Sequence, residues 1–327
     1  MTSKIIPIYV LTGYLGSGKT TVLLALLVRL KNEGRRPAVI INEFGDADVD
    51  GQIIGEDIPM EAMLGGCICC SIRGDLSMTI LNLCEQYNPD ILIIEATGAA
   101  HPAEIIEGVS DASLLTRTEL RTIVNVIDAR RLLDTYLHST RQETRLYISQ
   151  IQSAGWLLLN KIDRVPIESL PSLEEWIRQY NGDTPLIATI KGSEGLGFLD
   201  LDSQMKPRES IEQEEGAGDA GDFASEKEEE GTDIHPSLSV KTYYLDEPIN
   251  RDSFHSFCLN LPHGVNRMKG IVRFDGEQGL HLIQYAYREL EMMSIRPQKT
   301  VQEVLVVIGE PETLSEVNDT ILDIIGF

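Results

Sequence analysis

The stretch Ile5-Ile6-Pro7-Ile8-Tyr9-Val10-Leu11-Thr12-Gly13-Tyr14-Leu15-Gly16-Ser17-Gly18-Lys19-Thr20 decides the fold. Ile5–Leu11 reads as a buried strand. After the glycine-rich segment Thr12–Thr20, the spacing of Val22, Leu23, Leu26, Leu27 and Leu30 predicts a helix over Thr21–Lys31, largely buried in a core. Gly13–Thr20 satisfies G-x-x-x-x-G-K-[ST] in full, with a strand before it and a helix after it, which is the context the motif requires. Glycines there let backbone N–H groups converge on phosphate oxygens, and the helix N-terminus adds favourable partial charge. Lys19 is expected to neutralise the β- and γ-phosphates and Thr20 to bind Mg²⁺. Gly13, Gly16, Ser17, Gly18, Lys19, Thr20 and Thr21 are the expected phosphate-side contacts.

Outward from this loop, short apolar runs recur at Ala38–Ile41, Ile91–Glu95, Thr122–Ile127, Trp156–Leu159 and Leu186–Ala188, with helix-like segments between them. Alternation of this kind indicates a mainly parallel sheet covered on both faces. The fold class expected is therefore α/β, a P-loop NTPase, over residues 1–205. Ile91–Glu95 ends in an acid, the place for a carboxylate that holds Mg²⁺, so Glu95 joins Lys19 as a catalytic candidate; Gly98 could present its amide to a γ-phosphate. Asn160-Lys161-Ile162-Asp163 follows an apolar run about 140 residues after the loop, at a strand's carboxyl end where α/β folds bind ligands. The Asp163 carboxylate can accept from guanine N1–H and its 2-amino group; adenine offers neither donor on that edge and would leave the carboxylate unpaired. GTP and GDP are the expected nucleotides.

Gly65-Gly66-Cys67-Ile68-Cys69-Cys70 places three soft ligands in one short segment. Thiolates at that density suit Zn²⁺ or another soft or borderline metal, whereas Mg²⁺ and Ca²⁺ prefer oxygen. Three small buried hydrophobes, or a redox dithiol, are the alternatives. Three protein ligands leave a position open for exchange; Glu43, Asp46, Asp48 or His101 could complete the shell, and the sequence does not choose among them. Cys84 and Cys258 stand alone and read as packing residues.

The chain has 327 residues and a formal net charge of −23, which argues against nucleic acid or an anionic membrane as partner, because phosphate repels such a surface. No signal peptide or membrane-spanning run is visible, and closely spaced cysteines suit a reducing compartment, so the cytoplasm is expected. From Lys206 to His235 eleven Asp/Glu face three Lys/Arg, a net of 3 − 11 = −8, with almost no large apolar residues. Residues 206–236 therefore read as an acidic disordered linker. Beyond it, Ser239–Leu245, Gly270–Phe274, Leu280–Tyr287 and Val304–Ile308 read as strands, and Arg251–Leu259 and Glu312–Ile325 as helices. That is a small α+β domain over residues 237–327.

These motifs together resemble the CobW-type metal-chaperone GTPases: Gly13–Thr20, Asn42-Glu43-Phe44-Gly45, Gly66-Cys67-Ile68-Cys69-Cys70, Glu95-x-x-Gly98 and Asn160-Lys161-x-Asp163. Leu261-Pro-His-Gly264-Val-Asn-Arg267-Met-Lys269-Gly270 resembles the signature of that family's C-terminal domain. The resemblance implies GTP hydrolysis with Mg²⁺ and delivery of a transition metal, usually zinc or cobalt, to a client metalloprotein. It implies that Cys67, Cys69 and Cys70 hold the cargo and that Asn42–Gly45 is a nucleotide-sensing switch. Two departures stand out: the interdomain tract is acidic where many members are histidine-rich, and Gly155 stands where an Asp is expected. A P-loop ATPase or kinase with a structural zinc, and a metal sensor or buffer with vestigial hydrolysis, remain open as other readings. The sequence sets no oligomeric state.

Overall fold

The computed structural model describes residues 4–41, 58–62, 71–138, 141–182, 184–200, 238–298 and 300–326. The residues expected to form the switch Asn42–Gly45, the cysteine segment and the linker 206–236 lie outside these.

Among the described residues the first domain is a seven-stranded sheet in the order β3-β2-β4-β1-β5-β6-β7. Its strands are β1 (Ile6–Thr12), β2 (Pro37–Ile41), β3 (Met60–Ala62), β4 (Ile91–Glu95), β5 (Thr118–Asp128), β6 (Trp156–Asn160) and β7 (Leu186–Ala188). Every pairing is parallel. β1, β2, β4 and β6 are buried along their whole length, which explains why they are continuous apolar runs without alternation.

Helix α1 (Lys19–Asn32) covers one face, packing Val22, Leu23, Leu26, Leu27 and Leu30 against Tyr9, Leu11, Val39 and Ile93. Helices α2 (Ser71–Tyr87) and α3 (Pro102–Ser113) cover the other face with Ile80, Leu83, Ile105, Ile106 and Val109. Helices α4 (Ala129–His138), α5 (Arg141–Gln152) and α6 (Leu170–Arg178) close the β5–β6 end. Connections after β1 and after β5 run to different sides of the sheet, so the crevice between them is the topological switch point where such sheets bind ligands.

The second domain is a five-stranded antiparallel sheet, β11-β10-β9-β12-β8. It comprises β8 (Ser239–Tyr244), β9 (Val265–Val272), β10 (Leu280–Ala286), β11 (Glu289–Ile295) and β12 (Val304–Gly309), with α7 (Arg251–Leu259), α8 (Pro311–Glu316) and α9 (Asn318–Ile325). The strand read from Gly270 starts five residues earlier, at Val265. Within the signature, Met268 and Gly270 face the core while Arg267 and Lys269 alternate to the other side. A Cβ on Gly264 or Gly270 would meet Thr313 Oγ1 at 2.1 Å or Val304 O at 2.6 Å, so both glycines serve close packing. The single helix expected over Glu312–Ile325 is two, broken at Val317. There Asn318 Oδ1 accepts from Lys241 Nζ and Tyr243 OH, both at 3.1 Å, and the β8 side chains set where the second helix begins.

The domains meet on α3. Ile308 of β12 is buried in the same cluster as Ile105, Ile106 and Val109. Around it Arg267 pairs with Glu107 and Lys269 with Asp111, one helical turn apart. Gln302 N donates to Leu114 O at 3.0 Å, and Tyr244 OH donates to Thr118 O at 2.8 Å with the Arg117 guanidinium 4.5 Å from its ring centre. Gly155, at the amino end of β6, faces Thr122: a Cβ there would lie 2.5 Å from Thr122 Oγ1. It sits at the strand end opposite Asn160.

Candidate nucleotide site

The loop Gly13–Gly18 leaves the carboxyl end of β1 and enters α1 at Lys19, so Lys19 and Thr20 belong to the helix rather than the loop. Gly18 is the N-cap, at φ 108°, and no side chain caps the helix. Glycine has no side chain with which to cap, and a helix start of this kind suits a phosphate. Lys19 is 6% exposed, and its Nζ donates to Gly13 O at 2.8 Å and Tyr14 O at 3.3 Å. Ser17 Oγ, buried in the same loop, has no hydrogen-bond partner among the described residues. A cation turned inward and an orphaned hydroxyl fit a loop built around an anion.

Thr20 Oγ1 donates to Glu95 Oε1 at 2.9 Å, joining the first turn of α1 to the end of β4. A hydroxyl and a buried carboxylate at that separation are the hard oxygen donors that Mg²⁺ takes. Thr21 is exposed on the following position. Gly98 is buried against the loop: a Cβ on it would lie 2.5 Å from Leu15 N and 3.1 Å from Tyr14 C. Its carbonyl accepts from Gln150 Nε2 at 3.2 Å, so α5 holds the segment after β4 in place.

The Asn160–Asp163 turn is tied to the same loop. Asn160, 2% exposed, donates from Nδ2 to Ser17 O at 2.9 Å and accepts at Oδ1 from Thr189 Oγ1 at 3.0 Å. Thr189 Oγ1 in turn accepts from Gly192 N at 2.9 Å. Lys161 stands at φ 60°, a left-handed conformation costly to a lysine. That backbone turns its Nζ onto Gly16 O and onto Asp128 Oδ2, the latter at 2.7 Å. Asp163, two residues on, is exposed on a 3₁₀ turn, open to a base.

Several contributors were invisible in the sequence. Asp128 anchors Lys161 and also caps α4, accepting from Arg130 N and Arg131 N at 3.0 and 3.1 Å. Tyr14 is sandwiched between the Tyr147 ring, 5.5 Å away and nearly parallel, and the Arg131 guanidinium, 3.6 Å from its centre. An acid that ends β5 just before a helix was the one available signal. The ring stacking and the Gln150 contact have none, because they join residues far apart in the chain.

Cys67, Cys69 and Cys70 lie outside the described residues, between β3, which ends at Ala62, and α2, which begins at Ser71. Among the described residues no group of three or more His, Cys, Asp or Glu could hold a metal ion, and His101 is exposed ahead of α3. Burial pushes the Cys84 and Cys258 thiols up to about 12, which agrees with packing roles. Also among the described residues, no helix is long and apolar enough to cross a membrane.

Residues 7–188 match the model of the CobW/HypB/UreG nucleotide-binding domain, and residues 239–323 that of the cobalamin synthesis protein cobW C-terminal domain. The chain belongs to the CobW/HypB/UreG family of P-loop GTPases. Within this family it is 30% identical to the zinc chaperone YjiA of Escherichia coli (strain K12), over 86% of each chain. It is also 30% identical to the zinc chaperone CobW of Sinorhizobium sp, over 82% of this chain and 78% of that one. The zinc chaperone YeiR of E. coli is 34% identical over 58% of this chain, but the match spans only 57% of that protein's length.

Proposed function

We propose that this chain binds and hydrolyses GTP with Mg²⁺ and uses the cycle to deliver a transition metal, zinc first and cobalt second, from a Cys67–Cys69–Cys70 site to a client metalloprotein. The observation that carries the nucleotide half is the attachment of the Asn160–Asp163 turn to the phosphate loop through Ser17 and Gly16. It supports a reading in which one nucleotide spans both, its phosphates in the loop and its base on Asp163. Family membership and relatives named zinc chaperones support the metal half.

Thr20 and Glu95 would hold Mg²⁺, which offsets charge on the β- and γ-phosphates. Lys19 leaves the Gly13 and Tyr14 carbonyls to meet the same oxygens. Fixed donors of this kind act where charge develops, without reorganisation at the moment of reaction. Gly98, pressed on Leu15 N and held by Gln150, brings an amide to the γ-phosphate side.

Turnover of GTP against ATP tests the base assignment. Asp163→Asn should weaken GTP and favour xanthosine triphosphate, whose 2-oxo group accepts from the new amide; unchanged GTP affinity would reject it. Lys19→Ala should abolish turnover. Changing Cys67, Cys69 and Cys70 to Ser should remove about one tightly bound zinc per chain and leave GTP affinity nearly intact. Equal zinc content in parent and triple variant would defeat the metal assignment.

A further inference from the structure

Among the described residues four that are not glycine adopt positive φ: Asn88 at 43°, Lys161 at 60°, Tyr287 at 52° and Arg288 at 64°. Asparagine tolerates this region, and Lys161 belongs to the nucleotide site. Tyr287 and Arg288 are adjacent and form the whole of the two-residue turn between Ala286 and Glu289, which pair across β10 and β11. Positive φ at both central positions is the pattern of a type I′ hairpin, which Asn-Gly satisfies without strain and Tyr-Arg does not. Unfavourable backbone held at two successive positions points to a use for the side chains.

Their surroundings say what that use is. The turn borders a cavity of about 430 Å³ at the seam of the two domains, with Ile106 and Glu107 of α3 on one wall and Val265 and Arg267 of β9 on another. Tyr287 lines this cavity and is 96% exposed, so its ring is available to an occupant. Arg288 donates to Leu261 O at 3.2 Å and has no carboxylate partner among the described residues. Arg267 carries a second guanidinium into the lining, paired with Glu107. Glu107 lines the same cleft and neutralises Arg267, which leaves Arg288 as the guanidinium at its edge without a carboxylate partner among the described residues, a local cation that favours a carboxylate on the ligand. Exposed Tyr and Arg are the side chains that anchor protein interfaces most often.

We propose that this seam docks a partner polypeptide: an extended segment that sets apolar side chains into the cleft and a carboxylate on Arg288, with Tyr287 closing over its backbone. If the chain is a metallochaperone, as inferred above, the segment belongs to the client. The docking argument itself needs neither GTP nor zinc, and its test reads neither.

A phage-displayed library of random dodecapeptides is selected on the full chain, and the recovered peptides are titrated against parent, Tyr287→Ala and the double variant Tyr287→Asn/Arg288→Gly. The recovered sequences should combine bulky apolar residues with Asp or Glu. They should bind the double variant at least about tenfold more weakly, the loss expected when anchor residues are removed. The same variant installs the unstrained Asn-Gly turn, so its thermal midpoint should rise, which separates lost binding from lost folding. Peptides that bind parent and double variant alike, a basic consensus, or no recovered binder would overturn the proposal. A lower midpoint for the Asn-Gly variant would overturn the strain argument on which it stands.

Discussion

Gly98→Ala isolates the γ-phosphate side of the site. Gly98 does not require positive φ, so alanine meets no backbone penalty, and the perturbation is a single methyl group. That methyl would stand 2.5 Å from Leu15 N, 3.1 Å from Tyr14 C and 3.2 Å from Leu15 Cα, where ordinary contact begins at 3.4 Å. All three are backbone atoms of the phosphate loop and cannot swing aside. The segment after β4 must therefore back away by roughly 1 Å, at a cost on the order of 1–3 kcal/mol for overpacking. A displacement of about 1 Å in a catalytic constellation lowers turnover by roughly 100-fold. GDP has no γ-phosphate and should lose less than about tenfold in affinity, the residue of any movement passed to the loop. Single-turnover hydrolysis of GTP, with GDP affinity from a fluorescent analogue, reads both quantities. Gln150→Met should lower hydrolysis in the same direction without adding bulk, because it strips the donor from the Gly98 carbonyl, worth about 1–3 kcal/mol. Hydrolysis at the parent rate in Gly98→Ala would refute the placement of this segment against the phosphates.

Asn160→Ala removes two buried hydrogen bonds and leaves Ser17 O and Thr189 Oγ1 short of a partner; GTP and GDP should both weaken by about 10–100-fold in equilibrium titration. With both thiols held up to about 12 by burial, Cys84 and Cys258 stay protonated near neutral pH, and mass spectrometry after native maleimide labelling should find them unmodified. At the domain seam, Ile308→Ala should cost about 2–5 kcal/mol of stability by denaturant unfolding. Arg267→Ala should cost only about 0.2–1 kcal/mol, since that ion pair is partly exposed.

The buried centre of the fold was the legible part. β1, β4 and β6 are mostly apolar, and each leads to a motif position: β1 into the glycine loop, while β4 ends on Glu95 and β6 on Asn160. Edge elements were not legible. β3 is Met-Glu-Ala at the margin of the sheet, and β11, Glu289–Ile295, is mostly exposed, so neither has a burial pattern to announce it. The early start of β9 was hidden because the signature interrupts its alternation with residues that serve the seam with α3. Within the site, the roles proposed for Lys19, Thr20, Glu95 and Asn160 are read from motif and context. Asp128, Gln150 and Tyr147 act through contacts across 25 or more positions, which only the folded chain brings together.

The central claim is that nucleotide and metal address one machine, and it is tested by a zinc competition titration in two nucleotide states. Switch loops ordered by a γ-phosphate and its Mg²⁺ are released on hydrolysis. If such loops also shape the thiolate site, zinc affinity with GDP and with a non-hydrolysable GTP analogue should differ by roughly 5–150-fold, a coupling of about 1–3 kcal/mol, and zinc should change nucleotide affinity by the same factor. Identical zinc dissociation constants in the two states would contradict the account, leaving a GTPase and a metal site that share a chain without acting on each other.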